Sequence, residues 1–226
     1  MDNQWTVDTH GDPVGKVRSI IKYCWQEFHL EGMLVTMSQG DAAHAAPQLV
    51  TDQAFLDEVN PFQPLMEINA ARLIPGMLSS HPNARMGALL RPCELRALLA
   101  MTGHTSIPLE NLLTISVDCL GTLPADEYQW RLDRLAKDLA KNDLQPSPDS
   151  DALAHEALQF ARQGGIIPYR YRTACQVCAS PAADQADINL LILGLPIRQK
   201  IIVSVRDQKT AESLNVHVYA NGIAEQ

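Results

Sequence analysis

"RMGALLRPCELRALLAMTGHTSIPLENLLTISVDCLGT", residues 85–122, decides the architecture. It opens with RMGALL (85–90), an apolar run of strand length. Pro92 then stands at the first turn of a helix with Glu94 just behind it. Both are favoured there, because proline has no N–H to lose and the acid faces the positive end of the helix dipole. NLLTISVD (111–118) is nearly continuous in apolar character, as expected of a strand buried on both faces of a parallel sheet. Strand, helix and strand within about thirty residues form a βαβ unit, whose two strands run parallel. Cys93 and Cys119 each directly follow one of these strands. Adjacent parallel strands would deliver both thiols to the carboxyl edge of the sheet, where open α/β sheets place their sites. Cys93 also opens a helix, where free N–H groups and the dipole predict a lowered thiol pKa. Gly121 and Thr122, just after Cys119, predict backbone amides close to a sulfur.

Outward from this unit, strand and helix signals alternate. GKVRSIIKYCWQEFHLEG (15–32) reads as a helix, with Val17, Ile20, Ile21, Cys24, Trp25 and Phe28 at helical spacing and Gly32 as its stop. MLVTM (33–37) is a short strand, and the small, polar residues 38–48 read as a loop. Thr51 is the expected cap of TDQAFLDEV (51–59). NPFQP (60–64) breaks regularity, and 65–78 reads as a helix interrupted by Pro75. Downstream come a charged helix over 123–141, a Pro, Ser and Asp-rich stretch NDLQPSPDSD (142–151), and a helix over 152–165. Strands follow at 189–195 and 199–207, then a short helix running into an edge strand over 210–220. The expected fold is α/β: a mixed, largely parallel sheet with helices on both faces and the cysteine site at the carboxyl edge of the strands. The chain reads as a single domain over 1–226, with an excursion at 142–151.

The 226 residues carry 26 acidic and 18 basic side chains, for a net charge of −8. That balance speaks against general nucleic-acid binding, which needs a basic stripe. The start, MDNQWTVDTH, lacks the basic and apolar regions of a signal peptide. INLLILGLPI (188–197) is too short for a membrane span. The expectation is a cytoplasmic protein in a reducing compartment, where cysteines serve as ligands or redox groups. The cysteine count of five is odd, which suits that use better than a paired disulfide framework.

YRTACQVCAS (171–180) holds the only Cys-x-x-Cys, at Cys175 and Cys178. With Cys93 and Cys119 it completes the four-thiolate set of a [4Fe-4S] cluster. Zinc is a second reading, although structural zinc sites usually show two close pairs and only one is close here. Dithiol chemistry or buried inert cysteines is a third; a thioredoxin-like pair would open a helix after a first strand, and this one does not. Pro181 follows the pair closely, and Arg91 and Arg172 are near enough in sequence to offset thiolate charge. Cys24, on the apolar face of the first helix, reads as a small core residue.

No His-Glu-x-x-His, Gly-x-Gly-x-x-Gly, Walker or Gly-x-Ser-x-Gly pattern occurs. His155 and Glu156 read as a solvated helix face. NPFQPLMEINAA (60–71) reads first as a capping turn into a helix, and second as a loop lining a cofactor pocket.

GALLRPCELRALLAM, ENLLTISVDCLGTLP and YRTACQVCASPAADQADINLLILGL together resemble the beta subunits of coenzyme F420-reducing hydrogenases and dehydrogenases, including the formate dehydrogenase beta-subunit group. The likeness spans roughly residues 86–195: a Pro-Cys stretch, then Asp-Cys-x-Gly, then Cys-x-x-Cys followed by a proline and an Ala-Asp segment, in that order. It implies an iron–sulfur electron-transfer subunit of an oxidoreductase complex, with Cys93, Cys119, Cys175 and Cys178 as ligands of one [4Fe-4S] cluster. It further implies FAD, for which Asn60, Asn69 and Arg91 are the candidate contacts. Implied partners are the other redox subunits of a hydrogenase, formate dehydrogenase or disulfide reductase-type complex. The ferredoxin-type segment of many relatives is missing, so one cluster is the most this chain would hold. The rival reading is a zinc-stapled, non-catalytic scaffold subunit; a third is a flavin-only module.

Overall fold

The computed structural model describes residues 3–39, 41–103, 107, 109–141, 158 and 170–214. The stretch 142–151, most of the helix read over 152–165 and the strand read beyond 214 lie outside these residues.

The βαβ unit forms as expected. β4 (Met86–Leu90) and β5 (Leu112–Val117) pair in parallel, joined through α3 (Pro92–Thr102), and every residue of both strands is buried. Around them a seven-stranded sheet has the order β1-β7-β6-β5-β4-β2-β3. Its centre is parallel: β2 (Gly32–Gln39) pairs with β4, and β6 (Ile188–Leu191) with β5. Its margins are antiparallel: β7 (Lys200–Val205) lies between β6 and β1 (Gln4–Asp8), and β3 (Asp41–Val50) closes the other side against β2.

Two apolar layers cover the faces, because successive side chains of each strand point to opposite sides. Leu113, Ile115 and Val117 of β5 join Leu89, Ile188 and Leu190 beneath α1 (Pro13–Glu27). Met86, Ala88 and Leu90 of β4 join Leu112 beneath α2 (Ile74–Ser80) and α3. α1 starts where Asp12 accepts from the Gly15 N–H at 2.8 Å and Pro13 fills the first turn. Its buried stripe is Val14, Val17, Ile20, Ile21 and Cys24.

Several boundaries differ from the sequence reading. α1 ends at Glu27, with His29 in the left-handed region (φ 51°), and Gly32 opens β2 instead of stopping the helix. Most of 38–48 is strand: β2 runs to Gln39, and β3 pairs with it from Asp41 to Val50. Pro47 sits within β3, at the sheet margin where proline is tolerated. Asp52, not Thr51, caps the 3-10 turn Gln53–Asp57. The helix read over 65–78 is a short 3-10 turn, Ala70–Arg72, followed by α2, in which Pro75 belongs to the first turn.

Cys24 is 1% exposed and packed in the first layer, as expected. Burial pushes its thiol up to about 12. The unfolded chain releases this proton near the ordinary thiol value while the folded chain keeps it. The stability associated with Cys24 is therefore intact below about pH 8.5 and declines as pH rises toward 12, by up to about 1.4 kcal/mol per pH unit. Cys24→Ala is expected to flatten the alkaline limb of the stability curve, measured by urea unfolding at pH 8, 9 and 10. An unchanged limb would refute this assignment.

Candidate functional site

The carboxyl ends of β4 and β5 deliver their cysteines as the sequence predicts. Leu90 leads through Arg91 and Pro92 to Cys93 at the start of α3, and Val117 leads through Asp118 to Cys119. The Cys-x-x-Cys segment comes to the same edge. Cys175 lies in a short helix, Thr173–Gln176, whose approach is fixed by the Arg172 N–H donating to Thr122 O at 3.0 Å. The Cys178 N–H donates to Cys175 O at 3.3 Å, turning the chain back. The residues after Cys178 then seat on both other cysteine segments: the Cys119 N–H donates to Pro181 O at 2.8 Å, and Arg96 Nη1 of α3 to Ser180 O at 3.0 Å.

Donors address the sulfurs directly. The Gly121 N–H donates to Cys119 Sγ and the Thr122 N–H to Cys175 Sγ, both at 3.4 Å. Thr122 Oγ1 lies 3.3 Å from the same Cys175 sulfur. The first contact depends on Gly121 at φ +95°, where an added Cβ would also stand 2.7 Å from the Tyr171 ring.

The thiols are less acidic than the helix position of Cys93 predicted. Burial pushes Cys93 up, the Glu94 carboxylate adds to this, and the Arg91 and Arg96 guanidiniums offset only part. The dipole argument fails here because desolvation and a neighbouring acid outweigh it. Burial pushes Cys119 to about 11 against Arg91 and the Gly121 amide, with the Cys93 and Cys175 thiolate charges adding to the rise. Among the described residues, no three His, Cys, Asp or Glu side chains form a group that would hold a single metal ion.

Side chains the sequence did not single out hold this edge together. Asp118, 4% exposed, accepts from the Ala183, Ile192 and Leu193 N–H groups at 2.7, 2.7 and 2.9 Å. It ties the end of the cysteine segment to the end of β6. Glu94, 1% exposed, accepts from the Arg91 N–H and, across the sequence, from the Ala70 N–H. Arg96 was missed as a charge partner, whereas Arg172 spends its guanidinium on Met66 O at 2.9 Å. An acid directly before Cys119 was visible in the sequence; its three amide partners were not.

The residues proposed as flavin contacts are placed apart from one another in role. Asn60 accepts from the Phe62 N–H and Asn69 from the Ala71 N–H, each shaping a turn. Arg91 Nη2 donates to Gln63 O and Leu65 O. Asn60 and Arg91 line a shared pocket of about 20 Å³ with Gln63 and Glu94. That volume suits a water molecule and not a ring system. These contacts agree with the capping-turn reading of NPFQPLMEINAA.

No family model and no curated protein matches the chain. Its fold is similar to that of a chain in the F420-reducing [NiFe] hydrogenase complex from Methanosarcina barkeri, solved after xenon derivatization. The TM-score is 0.67 at 12% identity, over 97% of this chain and 79% of that one. The class defined by fold and likeness is a mixed α/β domain. No helix among the described residues is long and apolar enough to cross a membrane.

Proposed function

We propose that the chain is an iron–sulfur electron-transfer subunit of an oxidoreductase complex, akin to the F420-reducing hydrogenase and dehydrogenase beta subunits. Cys93, Cys119, Cys175 and Cys178 would hold one [4Fe-4S] cluster, which supplies one-electron transfer when bound. The observation carrying this reading is the convergence of three separate cysteine-bearing segments at one sheet edge, with amide and hydroxyl groups directed at two of the sulfurs. Such donors suit thiolates, whose charge they share. Arg91 and Arg96 offset part of the thiolate charge. The work of the complex would fall to other redox subunits, those of a hydrogenase, formate dehydrogenase or disulfide reductase-type assembly, in the cytoplasm. FAD belongs to the proposal through the resemblance alone. Asn60, Asn69 and Arg91 are committed to backbone partners.

The test is reconstitution with iron and sulfide under strict exclusion of oxygen. About four irons per chain and a broad band near ~400 nm are expected, with Cys93→Ser losing most of both. A colourless protein with one zinc identifies the scaffold reading, and flavin without iron identifies the flavin-only module.

A further inference from the structure

Thr122 meets the Cys175 sulfur twice, through its N–H at 3.4 Å and its Oγ1 at 3.3 Å. The residue is 1% exposed. Its carbonyl accepts from the Arg172 N–H at 3.0 Å, and the next N–H, of Leu123, donates to Pro64 O at 2.7 Å. The backbone is therefore held on both sides, and the buried hydroxyl keeps its place beside the sulfur. A thiolate sulfur has no proton, so with Cys175 ionised only the hydroxyl can donate.

We infer that Thr122 sets the reduction potential of a cluster held at this edge through its hydrogen bonds to Cys175, without itself ligating iron. The inference rests on the iron–sulfur reading above. Reduction adds one electron, supplied by a one-electron donor, and part of the added charge falls on the ligand sulfurs. No bond breaks and no proton leaves Thr122. A donor to the sulfur stabilises the more negative, reduced state, so it raises the potential. Thr122 is a positioning residue in this scheme.

Thr122→Val is nearly isosteric and keeps the N–H while deleting the hydroxyl; Thr122→Ser keeps the hydroxyl. Full-length chains, reconstituted anaerobically and assayed for iron, are titrated with dithionite while the reduced cluster is followed by electron paramagnetic resonance. Equal iron is expected in all three. At the wild-type midpoint, the ratio of reduced to oxidised T122V is expected to fall about tenfold, a midpoint lower by about 59 mV for a one-electron couple. T122S is expected at the wild-type value. A fully loaded T122V with an unmoved midpoint overturns this inference alone, as does T122S shifting with T122V. T122V losing its iron while T122S keeps it makes Thr122 a holder of the site, which also overturns the inference. A wild-type chain that takes up no iron overturns the iron–sulfur reading and this inference with it.

Discussion

Asp118→Ala is expected to lower stability by about 3–5 kcal/mol, because three backbone N–H groups, those of Ala183 and Ile192 buried and that of Leu193 partly so, lose their acceptor together. The carboxylate takes Ala183 on one oxygen and Ile192 and Leu193 on the other. Its removal frees the chain after Cys178 from the end of β6. Asp118→Asn keeps one acceptor oxygen and is expected to cost less than half as much. Urea unfolding of the three proteins measures both. If the iron–sulfur reading holds, iron uptake should fall further than stability alone explains, since Cys119 is the next residue along. An alanine variant within about 0.5 kcal/mol of wild type would show that the clamp does not stabilise the fold.

Gly121→Ala is the second large effect, expected at about 2–4 kcal/mol. Two penalties combine. A side chain at φ +95° is strained, at roughly 1–2 kcal/mol. The new Cβ would also stand 2.7 Å from the Tyr171 ring, which packs against Leu65, Leu123, Tyr128 and Leu132. The ring can yield only by disturbing that cluster, four residues ahead of Cys175. Tyr171→Ala should relieve the collision and leave the backbone strain. The double variant is therefore expected to be more stable than the summed single losses by about 1 kcal/mol or more. Strict additivity in thermal or urea unfolding would place the whole cost in the backbone.

The central sheet was legible because its cause is local: LLTISV and MGALL are buried on both faces, which selects a mostly apolar run, with Thr114 and Ser116 the buried polar exceptions. Pro92 and Glu94 marked the start of α3 for equally local reasons. β3 was not legible. Its Ala, His and Pro residues have little strand preference, and its conformation comes from pairing with β2 over Met33–Gln39. β1 was missed although QWTVD alternates: Trp5 and Val7 face the core while Gln4, Thr6 and Asp8 are exposed, a pattern only five residues long at the sheet margin. At the site, the positions of Cys93 and Cys119 followed from strand ends, and the amides near sulfur followed from Gly121 and Thr122. The acidity of Cys93 did not, because it depends on how deeply the thiol is buried and on Glu94, which is turned inward to hold Ala70. Asp118 likewise acts on residues more than sixty positions away.

Pro47 in β3 bears on how this molecule meets others. Among the described residues β3 is the last strand on its side, and its Ala45 N–H is already taken by Glu67 Oε2 at 2.9 Å. Two positions on, the Pro47 ring nitrogen has no hydrogen to offer a further strand. Both features discourage ribbon stacking along that flank.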